Sequence, residues 1–281
     1  MSPEQQQQLI QLADRLEQQY ETEHAQAVER ARELGLPVRK KLPDGRLMFL
    51  ERFAYGRPMY IVDQNRVAAQ TSGTAALHPE GSDSLSLTGE GQTLGMWEIG
   101  KARGSHRELE DRITQQDAGG TFGTANHATH VAGIMIGAGV RDQAQGMSYE
   151  ANLDAYTAGD GNGEMSRAAS NGLQVSNHSY GYLVGWAGKR ECGPNNEELR
   201  NWLGDPSVSG EEDWKFGYYG GAAKRWDRIA YRAPYYLITK SAGNEVGDNG
   251  PERHCEGNQI VNVNRPPDGG QNGFDSVSGR D

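Results

Sequence analysis

The sequence predicts an α/β protein: a parallel sheet flanked by helices, preceded by a small helical/α+β N-terminal segment. Three observations carry that expectation. After Gly89, short apolar runs alternate with runs of helical period, the rhythm of parallel strands joined by helical crossovers. Before it, residues 3–35 repeat apolar side chains at helical spacing. Within the α/β part lies Asn126-His127-Ala128-Thr129-His130-Val131-Ala132-Gly133, a polar helix start whose continuation is only small or apolar.

In chain order, the first element is the long amphipathic helix. Ser2 caps it, Pro3 suits its first position and Gln5 completes a capping box. Leu9, Leu12, Leu16, Tyr20, Ala27, Val28, Ala31 and Leu34 form its apolar stripe, and Gly35 and Pro37 end it. It reads as a packing helix, with a coiled-coil or partner role as the alternative. Pro43-Asp44-Gly45 marks a turn, and 47–50 and 59–62 are short strand candidates. Residues 64–91 are rich in Ser, Thr, Gly and Asn and read as a surface linker. Inside them, Ser72-Gly73-Thr74-Ala75-Ala76 is only a faint echo of a nucleophile motif. Residues 1–85 therefore read as a leader or pro-segment and 86–281 as the main domain. The main domain is expected to hold strands over 93–99, 151–156, 173–177 and 235–240, with helices over 130–139, 164–171 and 226–233. The last strand leads into Ser241-Ala242-Gly243-Asn244. Residues 185–219 show no period, so they read as a long functional loop or an insertion.

Bulk properties narrow the function classes. A chain of 281 residues holds one large domain, or one domain and a smaller one. The formal charge of −10 argues against nucleic acid or an anionic membrane surface as partner. No run approaches the roughly 18 apolar residues of a membrane span. The polar start Met1-Ser2-Pro3-Glu4-Gln5 does not read as a signal peptide. A cytoplasmic protein fits that start, as does a secreted or periplasmic one whose signal has been removed. Cys192 and Cys255 both fall in Gly/Pro/Asn-rich stretches, compatible with one disulfide or with two free thiols.

Three positions stand out chemically. Glu98 ends a strand, His127 opens a helix, and Asn244 follows another strand beside a glycine. A carboxylate, a histidine and a side-chain amide donor at such termini match the needs of acyl transfer: an orienter, a general base and an oxyanion donor. Each alone has an ordinary reading as a surface group or turn. His127 and His130 also share one helix face, yet no acid neighbours them in the way a zinc motif requires.

Four ordered motifs resemble one family. Asn126-His-Ala-Thr-His-Val-Ala-Gly133 resembles the histidine motif of subtilisin-like serine proteases, the S8 peptidases. Ser241-Ala-Gly-Asn244 resembles their oxyanion-hole motif, and Ser176-Asn-His-Ser-Tyr-Gly181 their substrate-pairing strand. Gly146-Met147-Ser148 through Ala151-Asn152-Leu153 is similar to the segment that follows the histidine helix. The resemblance implies a subtilisin-like fold and peptide-bond hydrolysis by an acid–His–Ser triad. His127 is then the general base, and His130 a structural residue buried against the sheet. Asn244 donates to the oxyanion. Ser179, Tyr180 and Gly181 offer backbone groups to an extended polypeptide substrate, and Ser241, Ala242 and Gly243 line the pocket before the scissile bond. No cofactor is required. Structural calcium is compatible, with Glu108 where some relatives place a ligand; a solvated acid beside Arg107 and Arg112 is the alternative.

Two departures follow from the same comparison. In Leu94-Gly-Met-Trp-Glu98-Ile-Gly100, with His106 and Leu109 beyond it, Glu98 stands where the family has aspartate. Asp111 and Asp117 are near in sequence but end no predicted strand. Nothing after Asn244 resembles the family's Gly-Thr-Ser-Met-Ala nucleophile motif; Ser276 and Ser278 lack its context. The catalytic domain is therefore expected to be incomplete at its C-terminal end. The serine then lies on a separate C-terminal segment, and this chain alone is inactive. The alternative is a pseudo-protease or peptide-binding module with a degenerate triad.

Overall fold

The computed structural model describes residues 2–41, 47–63, 74, 77–79, 85–117, 123–140, 144–159, 161–210, 212–244 and 250–265. In chain order the elements are α1 (Pro3–Glu33), β1 (Arg39–Lys41), β2 (Leu47–Ala54), β3 (Arg57–Asp63), β4 (Thr93–Glu98), β5 (Ile113–Gln115), α2 (Asn126–Ile136), β6 (Asn152–Thr157), α3 (Gly161–Ser170), β7 (Val175–His178), β8 (Tyr180–Tyr182), β9 (Trp186–Cys192), β10 (Glu197–Trp202), α4 (Gly221–Arg232), β11 (Leu237–Lys240), β12 (Arg253–Glu256) and β13 (Gln259–Asn262). The turn expected at Pro43–Gly45 and most of the expected linker lie outside the described residues. The chain divides into two compact units. One comprises Met1–Glu23, Asn65–Ser179 and Asp227–Lys240; the other comprises His24–Gln64, Tyr180–Trp226 and Ser241–Asp281.

The first unit is built on a five-stranded sheet in the order β11-β7-β4-β6-β5. Every pairing in it is parallel, as the alternation of strand and helix predicts. β4 is flanked on both sides, so its last residues are buried whichever face they take. On one face α2 covers the sheet: Val131, Ala132 and Ile136 pack with Met96, Leu109, Ala151, Leu153 and Ala155. The chain that follows α2 approaches its end closely. A Cβ on Gly146 would fall 2.4 Å from the Gly137 nitrogen, so only glycine lets the returning chain meet the end of α2. On α3, the Ser166 hydroxyl donates to the Leu9 carbonyl (2.8 Å) and Gln6 donates to the Ser170 carbonyl (3.1 Å). Leu9, Leu12, Ala13 and Leu16 are buried there. The capping box forms as expected, with Ser2 N–H to Gln5 Oε1 at 2.8 Å and Gln5 N–H to Ser2 Oγ at 3.2 Å.

In the second unit, later residues of α1 continue the apolar stripe: Ala27 and Ala31 pack on Leu50, with Leu36, Val38, Phe53 and Tyr60 around them. One sheet runs β1-β2-β3-β8 and another β13-β12-β10-β9. The β2–β3 hairpin closes through Tyr55 and Gly56, both at positive φ (49° and 76°), the backbone of a tight two-residue turn.

Two expectations need correction. Residues 185–219 are not loop throughout: β9 and β10 pair antiparallel within them. Only the ends of β9, Trp186 and Cys192, are buried, so the stretch shows no alternation to read. His130 is exposed rather than buried against the sheet, because α2 turns Ala128, Val131, Ala132 and Ile136 inward instead.

The two cysteines form a disulfide, from Cys192 on β9 to Cys255 on β12 across the intervening β10, and both are buried. The bridge spans 63 positions of sequence. On the chain-entropy estimate, a closed loop of that order stabilises by about 4 kcal/mol. The double Cys→Ser variant should therefore unfold at clearly lower denaturant concentration. Denaturant titration followed by tryptophan emission reads this directly, since Trp186 and Trp202 lie in the same sheet, 5.2 Å apart.

Candidate active site

β4 carries its last residue, Glu98, to the carboxyl end of the parallel sheet, where ligand sites of such sheets lie. α2 begins at Asn126, so His127 sits in its first turn, where the helix ladder leaves side chains open to neighbours. The preceding Ala125 has extended backbone and offers no side-chain cap. Glu98 Oε2 lies 2.9 Å from His127 Nδ1, and Glu98 Oε1 accepts the Ser179 backbone N–H at 3.2 Å. Glu98 is fully buried, and the His127 side chain is 15% exposed.

This geometry fixes the tautomer. A carboxylate can only accept, so Nδ1 carries the proton and Nε2 the lone pair. A buried carboxylate also stabilises the imidazolium that forms when Nε2 takes a proton. The extra methylene of glutamate is used rather than wasted, since the carboxylate engages both the helix and the strand terminus at hydrogen-bonding distance.

The opposite face of β4 holds a second set of polar groups that residue order did not foretell. Trp97 stacks on Tyr156 (4.1 Å between centroids, 2° between planes) and on His178 (5.1 Å, 14°). Both are its direct neighbours across the sheet. The Trp97 indole N–H donates to Glu164 Oε2 at 2.8 Å. Tyr236 O–H donates to Ser176 Oγ (2.7 Å), and Ser176 Oγ lies 2.9 Å from His178 Nε2. With Tyr236 as donor to it, Ser176 Oγ either donates its own proton to His178 Nε2 or accepts a second bond from it. Ser176 and His178 are wholly buried, so this serine–histidine contact faces no substrate.

Burial first, and the Lys240 ammonium second, hold the His178 imidazole well below its ordinary value of 6.5. The unfolded chain therefore binds a proton below about pH 6.5 that the folded chain refuses, so stability is complete above that pH and falls on acidification. The expected slope in the acid range is roughly 1 kcal/mol per pH unit. Thermal melts from pH 7 to 5 should show it, and His178→Phe should make the dependence shallower.

The anticipated Tyr180, Gly181, Ser241, Ala242, Gly243 and Asn244 lie in the second unit. Tyr180 and Gly181 are in β8, which pairs antiparallel with β3 (Asp63↔Tyr180, Val62↔Gly181). Ser241 and Gly243 are half-buried just past β11; Ala242 and Asn244 are exposed, and Gly243 has φ 112°. Glu108 is buried, and its Oε2 accepts the Val140 N–H at 2.9 Å. Among the described residues no three His, Cys, Asp or Glu side chains converge as a metal-holding group, and no helix is long and apolar enough to cross a membrane. Asp117, set aside on sequence grounds, accepts the Thr157 N–H at 2.7 Å and so braces the end of β6 beside Glu98.

A buried carboxylate hydrogen-bonded to a histidine at the carboxyl edge of a parallel sheet is an arrangement capable of acid–base chemistry. The subtilase family model matches residues 72–266, well over half of the chain, and the chain belongs to the subtilase family. By family it is a subtilisin-like serine protease, a hydrolase acting on polypeptides. A comparison with curated proteins returned no match.

Proposed function

We propose that this subtilase cleaves extended polypeptides as an endopeptidase, with Glu98 and His127 as the acid and base of its triad. One observation carries the reading: the 2.9 Å contact between His127 Nδ1 and a fully buried Glu98. In the reaction His127 Nε2 takes the proton of a serine hydroxyl as that oxygen attacks the scissile carbonyl. The same nitrogen then hands the proton to the leaving amine. Glu98 stays ionised and steadies the imidazolium. Asn244 donates its side-chain N–H to the developing oxyanion. Ser179, Tyr180 and Gly181 align the substrate backbone, and Ser241, Ala242 and Gly243 form a wall of the pocket for the side chain before the cut. None of residues 1–281 carries a Gly-Thr-Ser-Met-Ala segment, so the nucleophile is assigned to a C-terminal segment outside them. The Cys192–Cys255 disulfide favours an oxidising compartment as the place of action.

The test is covalent labelling of the full-length gene product with an organophosphonate probe. One serine should be labelled, and His127→Ala should abolish labelling. Continued labelling of that variant would remove His127 from the mechanism. A peptide-binding pseudo-protease is the second reading; a full-length product that binds peptides but takes up no probe would establish it.

A further inference from the structure

Glu98 is gripped at both oxygens, and the second grip has a support of its own. The Ser179 amide that holds Oε1 belongs to the residue directly after His178. His178 is placed from two directions. Within β7 and the chain before β11 it is tied by the Tyr236–Ser176–His178 hydrogen bonds at 2.7 and 2.9 Å. Across the sheet it stacks on Trp97, which directly precedes Glu98 and is itself held by Tyr156 and Glu164. The parallel register Gly95↔Ser176, Met96↔Asn177, Trp97↔His178 is thus marked by aromatic and polar pairs rather than by interchangeable aliphatic ones. A slip of one residue would turn every side chain of β7 to the other face and carry the Ser179 amide away from the carboxylate.

Three hydrogen-bonding side chains buried in a sheet are a costly way to fill space, since apolar groups of equal volume would pack there without desolvating polar atoms. What the satisfied network adds is a unique arrangement. Gly95 serves the same arrangement: a Cβ there would lie 2.8 Å from the Trp97 ring and 2.6 Å from Leu173, so the bare backbone leaves the indole its place.

We infer that His178 is a positioning residue for Glu98: tied to Ser176 and Tyr236 and stacked on Trp97, it sets the Ser179 amide that aims the carboxylate at His127. This deepens the proposed function and rests on Glu98 being the acid that orients His127. The role is indirect, because His178 lies on the buried far face and touches no substrate.

The test is proton NMR of the ring-nitrogen protons in histidine-labelled protein, using Tyr236→Phe and Ser176→Ala beside His178→Phe. The wild type should show a low-field His127 Nδ1 proton that Glu98→Gln removes. If no such proton exists, or Glu98→Gln leaves it, the reading of the Glu98–His127 pair fails, whatever His178 does. If the proton is present in the wild type, Tyr236→Phe and Ser176→Ala should broaden it or lose it to exchange with water. Ser166→Ala deletes a buried hydrogen bond in the same unit and should leave it sharp. In the active full-length peptidase, Tyr236→Phe should lower kcat by about tenfold with KM unchanged, the effect of misplacing a catalytic group by a fraction of an ångström. A sharp, unshifted resonance in both variants would overturn the inference, even if they melt at lower temperature.

Discussion

Replacing His127 with alanine in the full-length peptidase is expected to lower kcat/KM by about 10⁴-fold or more, and to lower the melting temperature as well. The size of the loss follows from what the imidazole does. Without it no group accepts the serine proton, and none returns a proton to the leaving amine, so both halves of the reaction slow. What survives is the contribution of substrate binding and oxyanion stabilisation, which do not pass through His127. The fold should persist, because the helix is anchored by Ala128, Val131, Ala132 and Ile136, but stability should fall, because the buried Glu98 carboxylate loses the His127 donor while keeping that of Ser179. Steady-state kinetics with a chromogenic peptide separate these effects, and a residual rate within tenfold of wild type would show that another group is the base.

Changes at Glu98 should be nearly as severe. Glu98→Gln keeps the shape but removes the charge, and one of its two termini must now present N–H to a donor. Either the Ser179 amide or His127 Nδ1–H loses its acceptor. The wrong tautomer of His127 becomes favourable, and the imidazolium loses its counter-charge, for a loss of about 10³–10⁴ in kcat. Glu98→Asp keeps the charge but shortens the reach from β4. The 2.9 Å contact to His127 and the 3.2 Å contact from Ser179 cannot both be kept from the same backbone. A loss of roughly 10- to 100-fold is expected, the usual cost of misplacing a catalytic group by up to an ångström.

Much of this architecture was legible because its signals are local. The Ser2–Gln5 box, the apolar stripe of α1 and the alternation after Gly89 each reflect a periodicity confined to one element. Glu98 and His127 were readable for a related reason: each marks the end of a strand or the start of a helix, and the order of motifs joined them. The unread features depend on pairing between distant residues. β9 shows charged Lys189, Arg190 and Glu191 along its exposed middle, and what makes it a strand is β10 beside it and a disulfide to β12. His130 is placed by the rotation of α2 against the sheet, which a shared spacing with His127 does not determine. Ser176, His178, Trp97 and Tyr236 become one network only when β4, β7 and the approach to β11 lie side by side in register. His178 stood inside a motif that was noticed, yet its type and spacing gave no hint that it faces away from the site.

The central claim is that the Glu98 carboxylate, at its own length, orients His127 for catalysis. Its most direct test is the rate of organophosphonate labelling of the full-length protein and of its Glu98→Asp and Glu98→Gln variants. The geometry predicts wild type fastest, Glu98→Asp slower and Glu98→Gln slowest. A Glu98→Asp variant that reacts faster than wild type, or a Glu98→Gln variant that reacts as fast, would contradict it.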